Sequence, residues 1–316
     1  MQVLQQSNLT VSTGIAPTYK ACAGSCHSLV YLQNRIWMGS MAAGYFSGKK
    51  AVITGAGDGI GRALAQQLNA MGCELWLCDV DSGRLEATLE GLDVVKAAVH
   101  TEVVDCGNQD AIVAWGRAVA AETPSIDAVF NNAGVAYAAP FADASEESFQ
   151  WLMAINFWGV VWSTRAFLPL LKAAPVGHLV NVSSIFGMIG VAGQSAYNSA
   201  KFAVRGFTEA LQAEYRNSSI KVSCVHPGGV ATNIAKRARA DGEWALSNAE
   251  ERDAQFRQAA KTTPEKAAEI ILRRAAVSTP RIFVGWDARI MHWLTKIFPT
   301  SYHVFIERLG QSNESK

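Results

Sequence analysis

From Lys50 onward, short apolar runs alternate with stretches whose apolar residues recur every three or four positions. Ala51–Thr54, Glu74–Cys78, Val99–Val104, Ile126–Phe130, His178–Val182, Lys221–Val225 and Arg281–Val284 read as strands. Ile60, Leu64 and Leu68 follow the first strand at helical spacing, and Lys266–Arg274 reads as a surface helix before the last. This alternation predicts an α/β fold, a doubly wound parallel sheet of about seven strands with helices on both faces. Two longer patterns stand out. Ser145–Ala173 predicts one long helix with Trp151, Leu152, Ile155, Trp158 and Trp162 on an apolar stripe, kinked in its last turn by Pro169. Roughly Ala196–Tyr215 predicts a second, carrying Phe202, Phe207, Ala210 and Leu211. After the last strand, Ile290, Trp293, Leu294 and Ile297 form an apolar stripe ended by Pro299. Tyr302, Val304, Phe305, Ile306 and Leu309 extend it. That segment is read as packing on the domain or on a subunit partner in preference to a membrane.

These patterns divide the chain into an extension (1–47), one α/β domain (48–285) and an apolar amphipathic C-terminal segment (286–316). The extension has no Asp or Glu and reads as disordered, with Met38 and Met41 as alternative starts close to the fold. Within the domain, residues 233–262 are charged and weakly apolar, as a mobile lid over a cleft would be. A chain of 316 residues with 49% hydrophobic residues can bury a large core, and a net charge of +1 without basic runs offers no footprint for nucleic acid. No apolar run approaches the roughly 18 residues needed to span a bilayer. A cytoplasmic protein is expected, with peripheral membrane contact left open. Cys73, Cys78, Cys106 and Cys224 fall in strands or helix ends and read as reduced core residues. Cys22-x-x-x-Cys26-His27 lacks a second ligand pair, so no metal site is expected.

The candidate chemistry lies in Asn181–Lys201. Tyr197 and Lys201, four apart, share one helix face, where a fixed ammonium would draw the phenol pKa towards neutrality. Ser183 and Ser184 end the preceding strand, where open α/β sheets hold ligands. A second constellation is the glycine loop Thr54-Gly55-Ala56-Gly57-Asp58-Gly59-Ile60-Gly61, between a strand and a helix. Gly55 and Gly59 allow the tight turn, and Gly61 lets the helix pack and point its amino terminus at a pyrophosphate. Asp79 stands 18 residues after Gly61, at the end of the second strand, where a carboxylate accepts from ribose hydroxyls and repels a 2′-phosphate. Val80 follows in place of a basic residue and Asp58 adds negative charge, so NAD is favoured over NADP. Arg62 and Arg84 are the cations a 2′-phosphate would recruit.

Together with Asn131-Asn132-Ala133-Gly134 and Pro227-Gly228-Gly229-Val230-Ala231-Thr232, in this chain order, the motifs resemble the short-chain dehydrogenase/reductase family over residues 48 to 285. The resemblance implies Tyr197 as the acid/base of a hydride transfer and Ser184, 13 residues before it, as its partner in place of Ser183. It implies that Lys201 also holds the nicotinamide ribose, and that the Asn156 carbonyl keeps a water beside that lysine. It assigns Thr54, Gly55, Gly59, Ile60, Gly61, Asp79, Asp105, Cys106, Asn132, Ala133, Gly134, Pro227, Gly228, Val230 and Thr232 to the cofactor. Asn131 and His226 are read as structural. A substrate wall of Val135, Tyr137, Ile185, Phe186, Met188 and Val191 is apolar and suggests a lipophilic secondary alcohol or ketone: a steroid, a cyclic alcohol or a fatty-chain compound. Homodimers or homotetramers are common in the family. A nucleotide-bound regulatory protein without turnover is the competing reading, against which the Ser-Tyr-Lys set argues. A serine hydrolase at Gly193-Gln194-Ser195 fails, because Tyr197 replaces the glycine its elbow needs. Asn8-Leu9-Thr10 matches a glycosylation sequon, as does Asn181-Val182-Ser183 in a strand that must be buried, so the match carries little.

Overall fold

A computed structural model describes residues 44–246 and 249–305. In chain order it forms β1 (Lys50–Thr54), α1 (Gly59–Ala70), β2 (Glu74–Asp79), α2 (Ser82–Leu89), β3 (Val99–Val103), α3 (Gln109–Glu122) and β4 (Ala128–Asn131). Then follow β5 (Tyr137–Ala138), α4 (Glu146–Met153), α5 (Gly159–Ala173), β6 (Gly177–Val182), α6 (Ser195–Glu214), β7 (Ile220–Pro227) and β8 (Arg239–Ala240). α7 (Ala249–Ala259), α8 (Pro264–Ala276), β9 (Arg281–Val284) and α9 (Trp286–Ile297) complete the order.

Seven strands make one parallel sheet in the order β3-β2-β1-β4-β6-β7-β9. The winding reverses between β1 and β4, which opens a crevice at the carboxyl ends of the strands. Alternate side chains of each strand enter opposite cores. Ala51, Ile53, Leu75, Leu77, Phe130 and Val180 pack under α1 and α8, whose Leu64, Leu68, Ile271 and Leu272 face them. Val52, Trp76, Val129, Leu179 and Val222 pack on the other face beneath α3, α5 and α6, against Ile112, Trp115, Phe167 and Leu211. Burial on both faces explains why the strands read as continuous apolar runs.

Three features depart from the sequence reading. The fold begins before residue 48: Phe46 is fully buried against Phe130, and the Tyr45 hydroxyl bonds to His178 Nε2. The remainder of the expected extension lies outside the described residues, as do Cys22, Cys26, Ile306 and Leu309. The long helix is split, with α4 passing into α5 through a π turn at Ala154–Trp158. The 3.6-residue pattern does not register such a turn, because one wider loop leaves the flanking stripe on the same side. α5 itself runs through Pro169 to Ala173.

Candidate active site

The glycine loop crosses from β1 to α1 over the crevice. Gly55 has a φ of +65°, and a Cβ there would lie 2.8 Å from Ala133 Cα. At Gly61 a Cβ would lie 2.0 Å from Gly55 O, so bare backbone is what lets the helix start this close to the loop. Thr54 fastens the loop to β4, its Oγ1 accepting from the amides of Asn132 and Ala133 at 3.0 Å each. The Asn132 amide group donates in turn to Thr54 O and Gly55 O, both at 3.1 Å. Asp58 caps α1, accepting from Gly59 N at 2.8 Å. Ile60 and Gly61 lie in the first helical turn, whose amides have no intrahelical acceptor and favour an anion. These bare glycines and first-turn amides fit a dinucleotide's pyrophosphate. At the end of β2, Asp79 accepts from Gly57 N at 2.9 Å and Asp81 N at 3.1 Å and pairs with the Arg84 guanidinium at 3.0 Å. Arg62 donates to Gly57 O and to Thr88 Oγ1, so both arginines flank the ribose end held by the loop itself. Asp105 accepts from Gly107 N at 2.8 Å at the end of β3, and buried Cys106 bonds to Cys78.

Across the crevice, β6 and α6 bring Ser184, Tyr197 and Lys201 together. The two serines are turned to different tasks. Ser183 Oγ donates to Lys201 O at 2.8 Å inside the core, whereas Ser184 Oγ hydrogen-bonds to the Tyr197 hydroxyl and accepts from Phe186 N at 3.1 Å. Lys201 is buried, and its Nζ donates to Val182 O at 3.1 Å and lies 5.7 Å from the Tyr197 ring centroid. Burial draws the lysine pKa down to about 8 and pushes the phenol up to about 12, with the Ser184 bond opposing the rise. The expectation of a phenol near neutrality is thus corrected for this arrangement: desolvation outweighs an ammonium held by a backbone carbonyl. Asn156, fully buried in the π turn, accepts from Val135 N and donates to Val135 O at 2.8 Å each, fixing the start of the substrate wall. A Cβ on Gly134 would lie 3.2 Å from Asn156 Oδ1 and 3.4 Å from Lys201 Nζ.

A sequence profile described as short chain dehydrogenase matches residues 49–243. The chain belongs to the short-chain dehydrogenase family. Over 260 residues it is 44% identical to SadH of Mycobacterium tuberculosis (strain ATCC 25618 / H37Rv), which bears an oxidoreductase's name, over 81% of this chain and 93% of that one. It is 34% identical over 193 residues to estradiol 17-beta-dehydrogenase 11 of Homo sapiens, covering 60% and 64% of the two chains. Among solved structures, a short chain dehydrogenase/reductase from Burkholderia phymatum in complex with NAD superposes with a TM-score of 0.70. It shares 30% identity, over 80% of this chain and 95% of that one. The protein is therefore an oxidoreductase of the alcohol dehydrogenase type, built on a fold that binds a nicotinamide dinucleotide.

Not every residue assigned to this dehydrogenase's substrate wall faces the cleft. Tyr137 is buried, and its hydroxyl donates to Asp241 Oδ2 at 2.6 Å, so it anchors the segment after β7. Ile185 and Met188 are buried in a satellite core with Ile189 and Ala288. Val135 and Phe186 remain beside Tyr197, the latter edge-on at 6.0 Å, and Val191 is half-buried. Thr232 lies against Gly59, where a Cβ would meet its Cγ2 at 2.8 Å, and Val230 is buried in the loop beyond Pro227. His226 is buried, its Nδ1 donating to Ser184 O at 3.1 Å, and burial draws its pKa down to about 4.

Three positioning residues escaped the sequence reading. Asn198, next to Tyr197, ties down the loop after Ser184: it donates to Phe186 O at 2.7 Å and Ile189 O at 2.6 Å and accepts from Val191 N at 3.1 Å. Its signal was a polar side chain on the buried face of α6. Asp287 of α9 accepts from Gly229 N at 2.6 Å and supports the Pro227-Gly228 turn, a contact no local pattern announces. Asp58 receives Asn233 Nδ2 at 2.9 Å and Arg237 NH1 at 2.6 Å, linking segment 233–262 to the glycine loop. A cavity of about 190 Å³ opens there, lined among others by Asp58, Arg62, Thr232, Asn233 and Arg257, at the dinucleotide end of the crevice and away from Tyr197.

Proposed function

We propose that this dehydrogenase interconverts a lipophilic secondary alcohol and its ketone, with NAD as its dinucleotide and Tyr197 as the proton-transfer residue. The observation that carries the reading is the hydrogen bond between the Ser184 and Tyr197 hydroxyls, beside buried Lys201 at the carboxyl end of β6. When bound, the dinucleotide supplies the hydride acceptor or donor. The side chains handle the proton. In reduction, Tyr197 gives its hydroxyl proton to the substrate oxygen as that oxygen becomes negative; a phenol with a pKa of about 12 is protonated and ready at neutral pH. Ser184 donates to the same oxygen. In oxidation the proton moves from the alcohol to Tyr197, and the Lys201 cation favours the phenolate that receives it. The Asn156 carbonyl holds a water on the proton path in this reading.

NAD is preferred because the Asp79 carboxylate, fixed at the ribose end, repels a 2′-phosphate, while Arg84 is already paired to it. The remaining cofactor contacts follow the assignments to Asp105, Cys106, Gly134, Val230 and Thr232. Val135 and Phe186 beside Tyr197 favour a lipophilic substrate, as does the steroid dehydrogenase among the relatives. Residues 233–262 act as a lid. The exposed Trp158, stacked with Trp162, and exposed Phe202 support a homodimer or homotetramer, and a cytoplasmic setting is retained. Among the described residues no helix is long and apolar enough to cross a membrane.

The test follows reduced-nicotinamide absorbance with NAD or NADP and a panel of steroid, cyclic and long-chain secondary alcohols, comparing the native protein with Tyr197→Phe. Turnover with NAD that falls by about 100-fold or more in the variant is expected. Undiminished turnover in Tyr197→Phe removes the tyrosine from the chemistry, and turnover with NADP alone removes the cofactor assignment. Tight NADH binding without turnover on any alcohol restores the regulatory reading.

A further inference from the structure

The outward face of α9 is uncovered. Trp286, Ile290, Trp293 and Ile297, at helical spacing, are 75%, 58%, 61% and 64% exposed, and Phe298, Val304 and Phe305 continue the exposed apolar surface. Only the opposite side of the helix packs as the sequence suggested: Ala288 and Met291 meet Ile185, Met188 and Ile189, and the Tyr302 hydroxyl accepts from Gly190 N at 2.9 Å. An apolar patch of this kind on a folded domain marks a docking surface.

Its charges say what docks there. The Arg289 guanidinium lies 5.4 Å from the Trp286 ring centroid and Lys296 Nζ lies 5.1 Å from that of Trp293, so each exposed tryptophan carries a cation at its flank. Arg273 and Arg289 both press their like charges on Arg274, extending the positive field beyond α9. Residues 286–305 contain one carboxylate, Asp287, and it faces inward to Gly229 N. A second copy of this face would bring cations against cations with no carboxylate to pair them. Tryptophans with flanking basic side chains instead match the interface of a bilayer, where the rings sit at headgroup level and the cations meet anionic lipid.

We propose that the α9 face, from Trp286 to Phe305, docks the enzyme on an anionic bilayer surface without spanning it. Docking at this face sets the membrane against the segment that backs the Phe186–Gly190 loop, one layer behind Tyr197. The proposal does not depend on which substrate the cleft takes.

Flotation of the full-length protein with vesicles of phosphatidylcholine containing phosphatidylserine tests it, alongside Trp286→Ser/Trp293→Ser and Arg289→Gln/Lys296→Gln variants. The native chain should float with the anionic vesicles. The tryptophan pair should cut the partition coefficient by about tenfold or more, and the lysine–arginine pair by about tenfold at low salt. Both variants should keep the native turnover on a soluble substrate and the native mass in light scattering. Absence of flotation by the native chain overturns the proposal. So does flotation unchanged by the tryptophan pair, or a fall in native mass in that variant, which makes the face a contact between copies of this chain.

Discussion

Asn198→Ala offers a sharp test of how the active-site loop is held. The side chain is buried and closes three hydrogen bonds, to Phe186 O, Ile189 O and Val191 N, at 2.6 to 3.1 Å. A net value of about 1 kcal/mol for each bond puts the loss near 3 kcal/mol, with water entering the vacated site limiting the cost of unpaired carbonyls. For a domain of this size that corresponds to a fall in Tm of about 6–12 °C. Because Phe186 and Ser184 share the released loop, kcat should fall further than the stability change alone explains, with little change in the KM for dinucleotide. Asn198→Asp sharpens the argument. It keeps an acceptor for Val191 N but turns a carboxylate towards two carbonyl oxygens, so it should be less stable than Asn198→Ala at pH 7. Urea denaturation followed by far-UV circular dichroism, with steady-state kinetics on the same preparations, gives both readouts. An Ala variant within about 0.5 kcal/mol of native, or an Asp variant more stable than Ala, refutes the loop-clamp account.

Two further outcomes follow from the geometry. His178 and His226 are buried with pKa values drawn down to about 4, so between there and 6.5 the unfolded chain binds the extra protons and stability falls as pH drops through that window. Each histidine accounts for about 3 kcal/mol across it; urea midpoints from pH 7 to pH 4 should show the fall, and His226→Gln should flatten it, whereas a pH-independent midpoint contradicts it. Gly61→Ala places a Cβ 2.0 Å from Gly55 O and 2.6 Å from Asn132 Nδ2, so the start of α1 must move. Dinucleotide affinity measured by NADH fluorescence should weaken at least about tenfold, a 1.4 kcal/mol change, and unchanged affinity means the loop does not carry the pyrophosphate.

Most of the sheet was legible because its strands are buried on both faces. Arg281–Val284 was expected as the final strand and is β9, while the fourth strand, expected at Ile126–Phe130, runs Ala128–Asn131 because Asn131 continues the pairing with β6. Short motifs read well where their function is local backbone, as in the glycine loop. What escaped is long-range. Neither Asp241 reaching back to Tyr137 nor Asp287 reaching Gly229 leaves a mark in a window of a dozen residues. The Tyr197 and Lys201 spacing showed that the two share a helix face but not that the ammonium would settle on Val182 O. Likewise, periodicity identified the stripe on α9 without saying whether anything covers it; Ala288 is buried and Trp286 is not. Tyr45 and Phe46 were passed over because two aromatic residues beside glycines form no run.

The buried amide of Asn131 carries a consequence for folding fidelity. It donates to Asn181 Oδ1 at 2.8 Å and Thr164 Oγ1 at 3.0 Å, and Asn181 donates onward to Thr208 Oγ1 at 3.0 Å. Leucine and valine tolerate a neighbour one position out of place, but an amide pair does not, since a single-residue slip of β6 would turn Asn181 to the opposite face and leave both amides without partners. The pair therefore acts as an index mark between β4 and β6, and Ser184, three residues beyond Asn181, inherits its position from that mark. An apolar replacement such as Asn131→Val with Asn181→Leu would leave an oily sheet with nothing to distinguish the right alignment from its nearest error, and the first casualty would be the distance between two hydroxyls.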